Sequence, residues 1–242
     1  MKFKFDILKY NFYFELTKKK SGKNQLNSDI AKLPKPYKLN FGPGYNWKKP
    51  DSTWLTVDID PTLGDIIVDF QQFNGIPIEN QSVECVYGSH VFEHISIFKS
   101  QLVFDEIYRV LQHGGILRVI LPDVVKSMQE YLNNNHDFEL FKRRTERQHD
   151  NKNSNYTLFE CMREDFVSKN GQINLLGHDT LAHQNAWDFD TLKAHLVKSG
   201  FKAENIKKMN FQKSQSPYFS FEGTYKSEAN EDYRSLYVEA IK

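Results

Sequence analysis

A short strand-like segment that ends in two closely spaced glycines constrains this chain more than any other feature. Residues 37–41 alternate apolar and polar side chains, which is typical of a β-strand, and Gly42 and Gly44 follow at once. Glycine has no Cβ, so the backbone of this turn can approach a ligand closely. A second β-rich segment, residues 54–58, ends on Asp58. A glycine turn after one strand and an acid ending the next are how a doubly wound α/β domain holds a nucleoside.

The residues after Asp58 continue this alternation of strands and helices. Further strands are predicted over 65–70, 83–87, 116–121, 202–209 and 236–241. An amphipathic helix is predicted over 98–112, with Gly114 as its stop, and a second over 188–196, with Gly200 as its stop. Strands that alternate with helices in this way predict one α/β domain with a mainly parallel sheet covered on both faces.

Two segments lie outside this pattern. Residues 1–36 mix aromatic side chains with lysines, and we expect an N-terminal arm that either docks on the domain or forms a lid over the ligand site. Residues 124–187 are polar and asparagine-rich at their centre, which predicts a partly helical insertion. The predicted domain therefore spans 37–242, with 124–187 as a cap.

Composition excludes several classes of protein. The chain has 242 residues, a formal charge of +1 and 26% charged residues, so nothing indicates binding to nucleic acid or to an anionic membrane. No apolar run approaches the length of a membrane span. Cys85 and Cys161 are too few for a disulfide framework, which indicates a reducing compartment, and we expect a cytoplasmic protein.

Three motifs, of which the glycine turn is the first, point to a known family. Residues 39–46 read Leu-Asn-Phe-Gly-Pro-Gly-Tyr-Asn, residues 89–94 read Ser-His-Val-Phe-Glu-His, and residues 106–115 read Glu-Ile-Tyr-Arg-Val-Leu-Gln-His-Gly-Gly. With the acids Asp58 and Asp69, this set resembles class I S-adenosylmethionine (SAM)-dependent methyltransferases, especially the small bacterial type 11 methyltransferase domains. The resemblance implies a doubly wound, seven-stranded, Rossmann-like fold with SAM as cofactor, and it places the cap insertion after the fifth strand.

The resemblance also implies which residues bind the cofactor. Eight positions match the family's binding residues: Asn40, Gly42, Gly44, Asp58, Asp69, Phe70, Ser89 and His90. In the family, the acid at Asp58 binds the ribose, and the pair Asp69-Phe70 lies at the adenine. Asn40 stands where the family has an acid, which weakens the attraction for the ammonium group of SAM.

The implied reaction is methyl transfer to a small-molecule acceptor, by family analogy an oxygen of a metabolite or sugar-type compound. Residues that follow the fourth and fifth strands should meet the acceptor, which indicates His94 and Asp123. The end of the insertion adds His178, His183 and Trp187. One of the three histidines is expected to be the general base, since histidine titrates near neutral pH. We favour His183, with Trp187 as an apolar wall.

Three alternative functions compete with this interpretation. His90 and His94 fit the His-x-x-Glu-His pattern of inverted zinc peptidases, but the segment follows a strand and no third ligand is evident, so no metal is expected. A nicotinamide-dependent oxidoreductase needs its glycine turn to open a long helix, and Pro50 and Asp51 interrupt here. A non-catalytic SAM-fold binding protein stays open, and measured turnover would separate it from an enzyme.

Overall fold

The N-terminal segment contains a β-hairpin. The computed structural model describes residues 2–7, 10–15, 30–149, 156–167 and 182–242. Strands β1 (Lys2–Ile7) and β2 (Tyr10–Glu15) pair antiparallel, with Lys2 opposite Glu15. Residues 16–29 of the predicted arm lie outside the described residues. The role of the arm as a lid therefore stays a prediction.

A seven-stranded sheet organises the rest of the described chain. Its strands are β3 (Tyr37–Phe41), β4 (Trp54–Asp58), β5 (Ile66–Ile67), β6 (Val83–Ser89), β7 (Leu111–Pro122), β8 (Ile206–Met209) and β9 (Ser235–Ile241). Across the sheet they lie in the order β5-β4-β3-β6-β7-β9-β8. Strands β3 to β7 are parallel, whereas β9 is antiparallel to both of its neighbours. The doubly wound, mainly parallel fold is confirmed, as a mixed sheet.

The direction of winding changes between β3 and β6. The chain moves outward from β3 through β4 to β5, and then returns to place β6 on the other side of β3. In open α/β sheets, ligands bind in the crevice at the carboxyl ends of the strands, where this reversal occurs. The glycine turn after β3 and the segment after β6 both open into this crevice.

Helices follow the predicted pattern, and the differences lie in the bounds of some elements. They are α1 (Ile97–Val110), α2 (Val124–Leu132), α3 (Glu139–His149), α4 (Leu158–Arg163) and α5 (Phe189–Ser199). Gly200 ends α5 in the left-handed region at φ 116°, as predicted. The predicted end of α1 at Gly114 is wrong, because Leu111 already pairs with Val83 as the first residue of β7. The third predicted strand is also shorter, since only Ile66–Ile67 pairs with β4.

The two faces of the sheet are covered differently. Helices α1 and α5 cover one face, where Phe104, Ile107 and Leu196 pack on alternate residues of the strands. Aromatic side chains that include Trp54 and Phe221 cover the other face. Coverage of both faces is thus confirmed, but residues 210–234, which contain only 3-10 turns, provide much of it on the second face.

The second face also buries one charged cluster. Arg118, on the central strand β7, is fully buried, and its guanidinium donates to both carboxylate oxygens of Glu222, at 2.5 and 2.7 Å. Its Nη1 also donates to Glu239 Oε1 at 2.8 Å and to the carbonyl of Lys213 at 3.0 Å. Because the paired carboxylates offset the cost of burying the guanidinium, this cluster holds residues 210–234 on the sheet.

The described part of the 124–187 insertion contains α2, α3 and α4. Buried Arg144 of α3 ion-pairs with Asp165, and its Nη1 donates to the carbonyl of Cys161 at 2.5 Å, so α3 and α4 pack together. The insertion ends on the main domain, where the N–H groups of Gln184 and Asn185 donate to the carbonyl of Glu93 at 2.8 and 3.0 Å. No described helix is long and apolar enough to cross a bilayer.

Candidate active site

A cavity of about 530 Å³ lies at the switch point of the sheet. Its lining consists of Gly42, Gly44, Tyr45, Asp58, Ile59, Asp60, Leu63, Asp69, Phe70, Gln71, His90, Val91, His94 and Ile95. Six of the eight predicted cofactor-binding residues are among them, and so is one predicted acceptor residue, His94. The carboxyl ends of β3, β4 and β6 therefore meet in one concave site, as the positions of these motifs predict.

The glycine turn after β3 is shaped by two different requirements. Gly42 and Gly44 both adopt left-handed conformations, with φ of 58° and 65°. A Cβ on Gly42 would lie 2.7 Å from Cγ2 of Val91, so the turn can pack against the segment after β6 only because this residue is glycine. A Cβ on Gly44 would meet nothing within 4 Å. Backbone is thus exposed to the cavity at Gly44, where a ligand can approach it.

Asp58 and Asp69 line the cavity and also hold their own turns. Asp58 Oδ1 accepts from the N–H of Asp60 at 2.9 Å, and Asp69 Oδ1 accepts from that of Gln71 at 2.9 Å. Each carboxylate has a second oxygen, so holding the turn does not prevent it from binding a ligand. Burial raises the pKa of Asp58, against the opposing hydrogen bond from Asp60. Phe70 packs on Phe41 with ring centroids 5.6 Å apart and forms an apolar wall.

Asn40 and Ser89 do not line the cavity, yet both present polar atoms without partners in the described chain. Asn40 is 1% exposed, and neither atom of its amide has a hydrogen-bond partner there. The hydroxyl of Ser89, at the end of the adjacent strand β6, is likewise without one. Buried polar groups normally have partners, so these atoms are consistent with a polar ligand reaching between the two strand ends.

His90 has an unusual backbone and a crowded ring. Its φ is 52°, in the left-handed region that few residues other than glycine adopt. Its Nε2 lies 3.0 Å from the hydroxyl of Ser235, and its Nδ1 lies 3.2 Å from Glu93 and 3.3 Å from Glu228. The zinc-peptidase alternative needs His90 and His94 one turn apart on a helix. The structure has a 3-10 turn over Phe92–His94 instead, with His90 outside it.

His94 and His183 lie together, although they are far apart in the sequence. Their ring centroids are 4.8 Å apart, and the rings meet edge to face at 82°. The fully buried Glu93 lies beside them. Burial alone would raise the pKa of Glu93, but His90, His94 and His183 lower it below its ordinary value. Burial lowers the pKa of His183, against the opposing charge of Glu93.

The remaining acceptor-site predictions have mixed outcomes. Asp123 does not line the cavity; its carboxylate accepts from the N–H of Lys126 at 3.1 Å and caps α2. Its role at the acceptor stays a prediction that this geometry does not favour. Trp187 is 2% exposed and packs in the main core against Phe104, so the prediction that it forms a pocket wall is wrong. His178 lies outside the described residues.

Sequence reasoning missed several residues of the site. Tyr45, Asp60 and Gln71 line the cavity but received no predicted role. Asp60 had a detectable signal, since it follows Asp58 by two residues at the end of the same strand. The sequence presents Glu93 only as part of the His-x-x-Glu-His motif. Glu93 lies near His183 because the 182–187 loop folds back onto the turn after β6. No local sequence pattern predicts that contact.

Comparison with known proteins adds one decisive match. The family model described as a methyltransferase domain matches residues 53–119, from the start of β4 into β7. This match covers Asp58, Asp69 and the segment from Ser89 to His94, all of which lie in or beside the cavity. Residues 53–119 therefore form a methyltransferase domain, as the resemblance to class I SAM-dependent methyltransferases implies.

Three similar solved structures are each distant from this chain in sequence. A SAM-dependent methyltransferase from Mesorhizobium loti is 13% identical, with a TM-score of 0.46, over 88% of this chain and 94% of that chain. One from Archaeoglobus fulgidus is 15% identical, with a TM-score of 0.42, over 85% and 86% of the two chains. A Haloferax volcanii putative methyltransferase, in complex with the Trm112 activator, is 12% identical, with a TM-score of 0.42 over 88% and 86%. A search among curated proteins finds no similar sequence.

Proposed function

We propose that this methyltransferase transfers a methyl group from SAM to an oxygen of a small hydroxylated metabolite. The observation that carries the proposal is that the cofactor motifs and the pair His94–His183 adjoin one cavity. A volume of about 530 Å³ falls in the range of small-molecule sites, although SAM itself would take up much of it. The acceptor would then lie beyond His94, toward His183.

In this proposal, each part of the site has a separate task. Asp58 accepts hydrogen bonds from the ribose hydroxyls, and Asp69 with Phe70 recognises the adenine. Asn40 and Ser89, with their unpartnered polar atoms, bind the amino acid end of the cofactor beside Gly44. SAM supplies an activated methyl group on a positively charged sulfur. The protein's task is therefore mainly alignment of the acceptor and exclusion of water.

The acceptor oxygen has to lose its proton as the methyl group is transferred. His94 lines the cavity and the ring of His183 packs against that of His94, which supports a role for these two residues in that loss. An oxygen acceptor fits this need better than a sulfide or a tertiary amine, which has no proton to lose. The 182–187 loop, anchored on the carbonyl of Glu93, would close the acceptor side of the site.

Transfer of labelled methyl groups tests the proposal. Wild-type protein is incubated with methyl-labelled SAM and a pool of hydroxylated small metabolites, and products are identified by mass spectrometry. We expect a methyl ether or ester, and we expect His183→Ala to lower its formation by roughly 10²–10⁴-fold with cofactor binding intact. His113→Ala, a change at an exposed histidine on β7, is the matched control and should retain full activity. Label that enters only protein or nucleic acid would contradict a small-molecule acceptor.

A further inference from the structure

Glu93, His94 and His183 each bring one potential metal-ligand atom to within 4.8 Å of the others. Two of these residues belong to the 3-10 turn after β6, and the third to the 182–187 loop docked on that turn. Two atoms bound to one tetrahedral Zn²⁺ ion are roughly 3.3–3.6 Å apart, because each metal–ligand bond measures roughly 2.0–2.2 Å. An inward movement of the side chains by roughly 1 Å would therefore place all three around one ion.

Both histidine rings have the tautomer that suits metal binding at Nε2. His94 Nδ1 lies 3.2 Å from the carbonyl of Ala182, and His183 Nδ1 lies 3.0 Å from the carbonyl of Asp165. A carbonyl oxygen only accepts hydrogen bonds, so each Nδ1 carries a proton, and the lone pair of the neutral ring is on Nε2. Histidines that bind metals usually donate their other ring N–H to a carbonyl or carboxylate in this way.

Glu93 is an unusual residue to bury without a cation. It is 1% exposed, and neither carboxylate oxygen has a hydrogen-bond donor within the described residues. His90 Nδ1 is 3.2 Å from Oε1 but outside hydrogen-bonding geometry, and the same nitrogen is 3.3 Å from Glu228. Buried carboxylates are normally paired, hydrogen-bonded or bound to a metal. A cation bound by Glu93 and the two imidazoles would neutralise this carboxylate directly.

We propose that Glu93, His94 and His183 bind a divalent transition-metal ion at the acceptor end of the cavity. Two imidazoles and one carboxylate suit Zn²⁺, and they leave a coordination position for water or substrate. This revises the expectation of no metal, which rested on pairing His90 with His94 and finding no third ligand. In the structure His90 Nε2 lies 3.0 Å from the hydroxyl of Ser235 and its Nδ1 lies near both Glu93 and Glu228, and the third candidate ligand is His183.

The metal would define the substrate class more narrowly, and this step rests on the proposed function. The two histidines would then assist proton loss as metal ligands and not as general bases: a hydroxyl of the acceptor would occupy the open position and lose its proton to water, because a bound cation lowers the pKa of an oxygen ligand. That oxygen then forms a bond to the methyl carbon while the carbon–sulfur bond breaks. The bonding pair stays on sulfur, so the products are a methylated oxygen and neutral S-adenosylhomocysteine.

Metal content provides a test that does not depend on activity. The untagged full-length protein is stripped with a chelator, loaded with Zn²⁺, freed of excess metal and analysed for zinc per chain. Wild type and His113→Ala should retain about one Zn²⁺, whereas His94→Gln and His183→Ala should retain little. Glu93→Gln, which keeps the side-chain volume, should weaken Zn²⁺ binding at least about tenfold, as expected for loss of a charged ligand. Circular dichroism of every variant checks that the fold is preserved.

Two outcomes would overturn the metal site. Wild type could retain no more zinc than His183→Ala, which would leave Glu93 and the histidines as a hydrogen-bonded cluster without a metal. Zinc could also be retained equally by all four variants, which would place it elsewhere. Methyl transfer at the full rate by the metal-free protein would exclude a catalytic role for the metal and leave the methyltransferase proposal intact. Stoichiometric zinc without any methyl transfer would instead contradict the proposed function alone.

Discussion

Removing the buried guanidinium of Arg118 should destabilise the fold strongly. In Arg118→Met, the carboxylates of Glu222 and Glu239 lose three hydrogen bonds, of 2.5, 2.7 and 2.8 Å, and stay buried with side-chain exposures of 3% and 0%. Breaking a buried ion pair by removing one partner costs about 3–5 kcal/mol. For a chain of this size, that corresponds to a fall in Tm of roughly 6–20 °C.

A multiple variant separates loss of the ion pair from loss of packing. Arg118→Met combined with Glu222→Gln and Glu239→Gln removes all three charges, so no uncompensated carboxylate stays buried. We expect this protein to regain a substantial part of the stability lost in the single variant. Urea unfolding followed by circular dichroism measures the free energy of unfolding of each protein. A loss below about 1 kcal/mol in Arg118→Met, or no recovery in the triple variant, would refute the reasoning.

Two further predictions concern the cofactor site. Gly44→Ala should lower the free energy of unfolding by only about 1–2 kcal/mol, the cost of a left-handed Ala, but should weaken S-adenosylhomocysteine binding at least about tenfold. Gly42→Ala should lower the free energy of unfolding by roughly a further 1–3 kcal/mol, the cost of overpacking, because its Cβ would meet Val91. Comparison of denaturation and titration data for the two variants checks both statements, and equal stability losses would contradict them. Burial raises the pKa of Asp58 above the ordinary carboxyl value of 3.8, and the neutral acid is a poorer hydrogen-bond acceptor. As the pH is lowered, cofactor affinity should therefore begin to fall while the pH is still above 3.8. A titration series in which Asp58→Asn shows the same pH dependence as wild type would assign that effect to another group.

Local chain chemistry accounts for the parts of the fold that the sequence predicts well. Strands β3 and β4 have the predicted bounds, and Asp188 and Gly200 bracket α5, because alternation, capping and left-handed glycine are local properties. The end of α1 was misplaced because pairing of Leu111 with Val83 is a tertiary contact that overrides the helical pattern. The short β5 has the same kind of cause, since its length depends on pairing with β4.

In the candidate site, too, the sequence predicts local features but not contacts between distant segments. Gly42, Gly44, Asp58 and Asp69 follow strand ends, and the topology of a doubly wound sheet brings such residues to one edge. The contact between His94 and His183 depends on how the insertion returns to the sheet, and no local pattern encodes it. Trp187 shows the converse error. Its position four residues after His183 favours a pocket wall. Its large apolar ring instead packs in the core against Phe104.

Calorimetric titration with S-adenosylhomocysteine tests most directly the central claim that the cavity after β3, β4 and β6 binds the cofactor. The informative comparison is between Asp58→Ala and Asp51→Ala, because both aspartates accept an N–H two residues ahead, from Asp60 and Thr53, but only Asp58 lines the cavity. We predict one binding site in wild type and in Asp51→Ala. Binding by Asp58→Ala should be weaker by about 1–3 kcal/mol, or roughly 5- to 150-fold, because the ribose hydroxyls lose a charged acceptor. No binding by wild type, or equal affinity in Asp58→Ala, would contradict this account of the site.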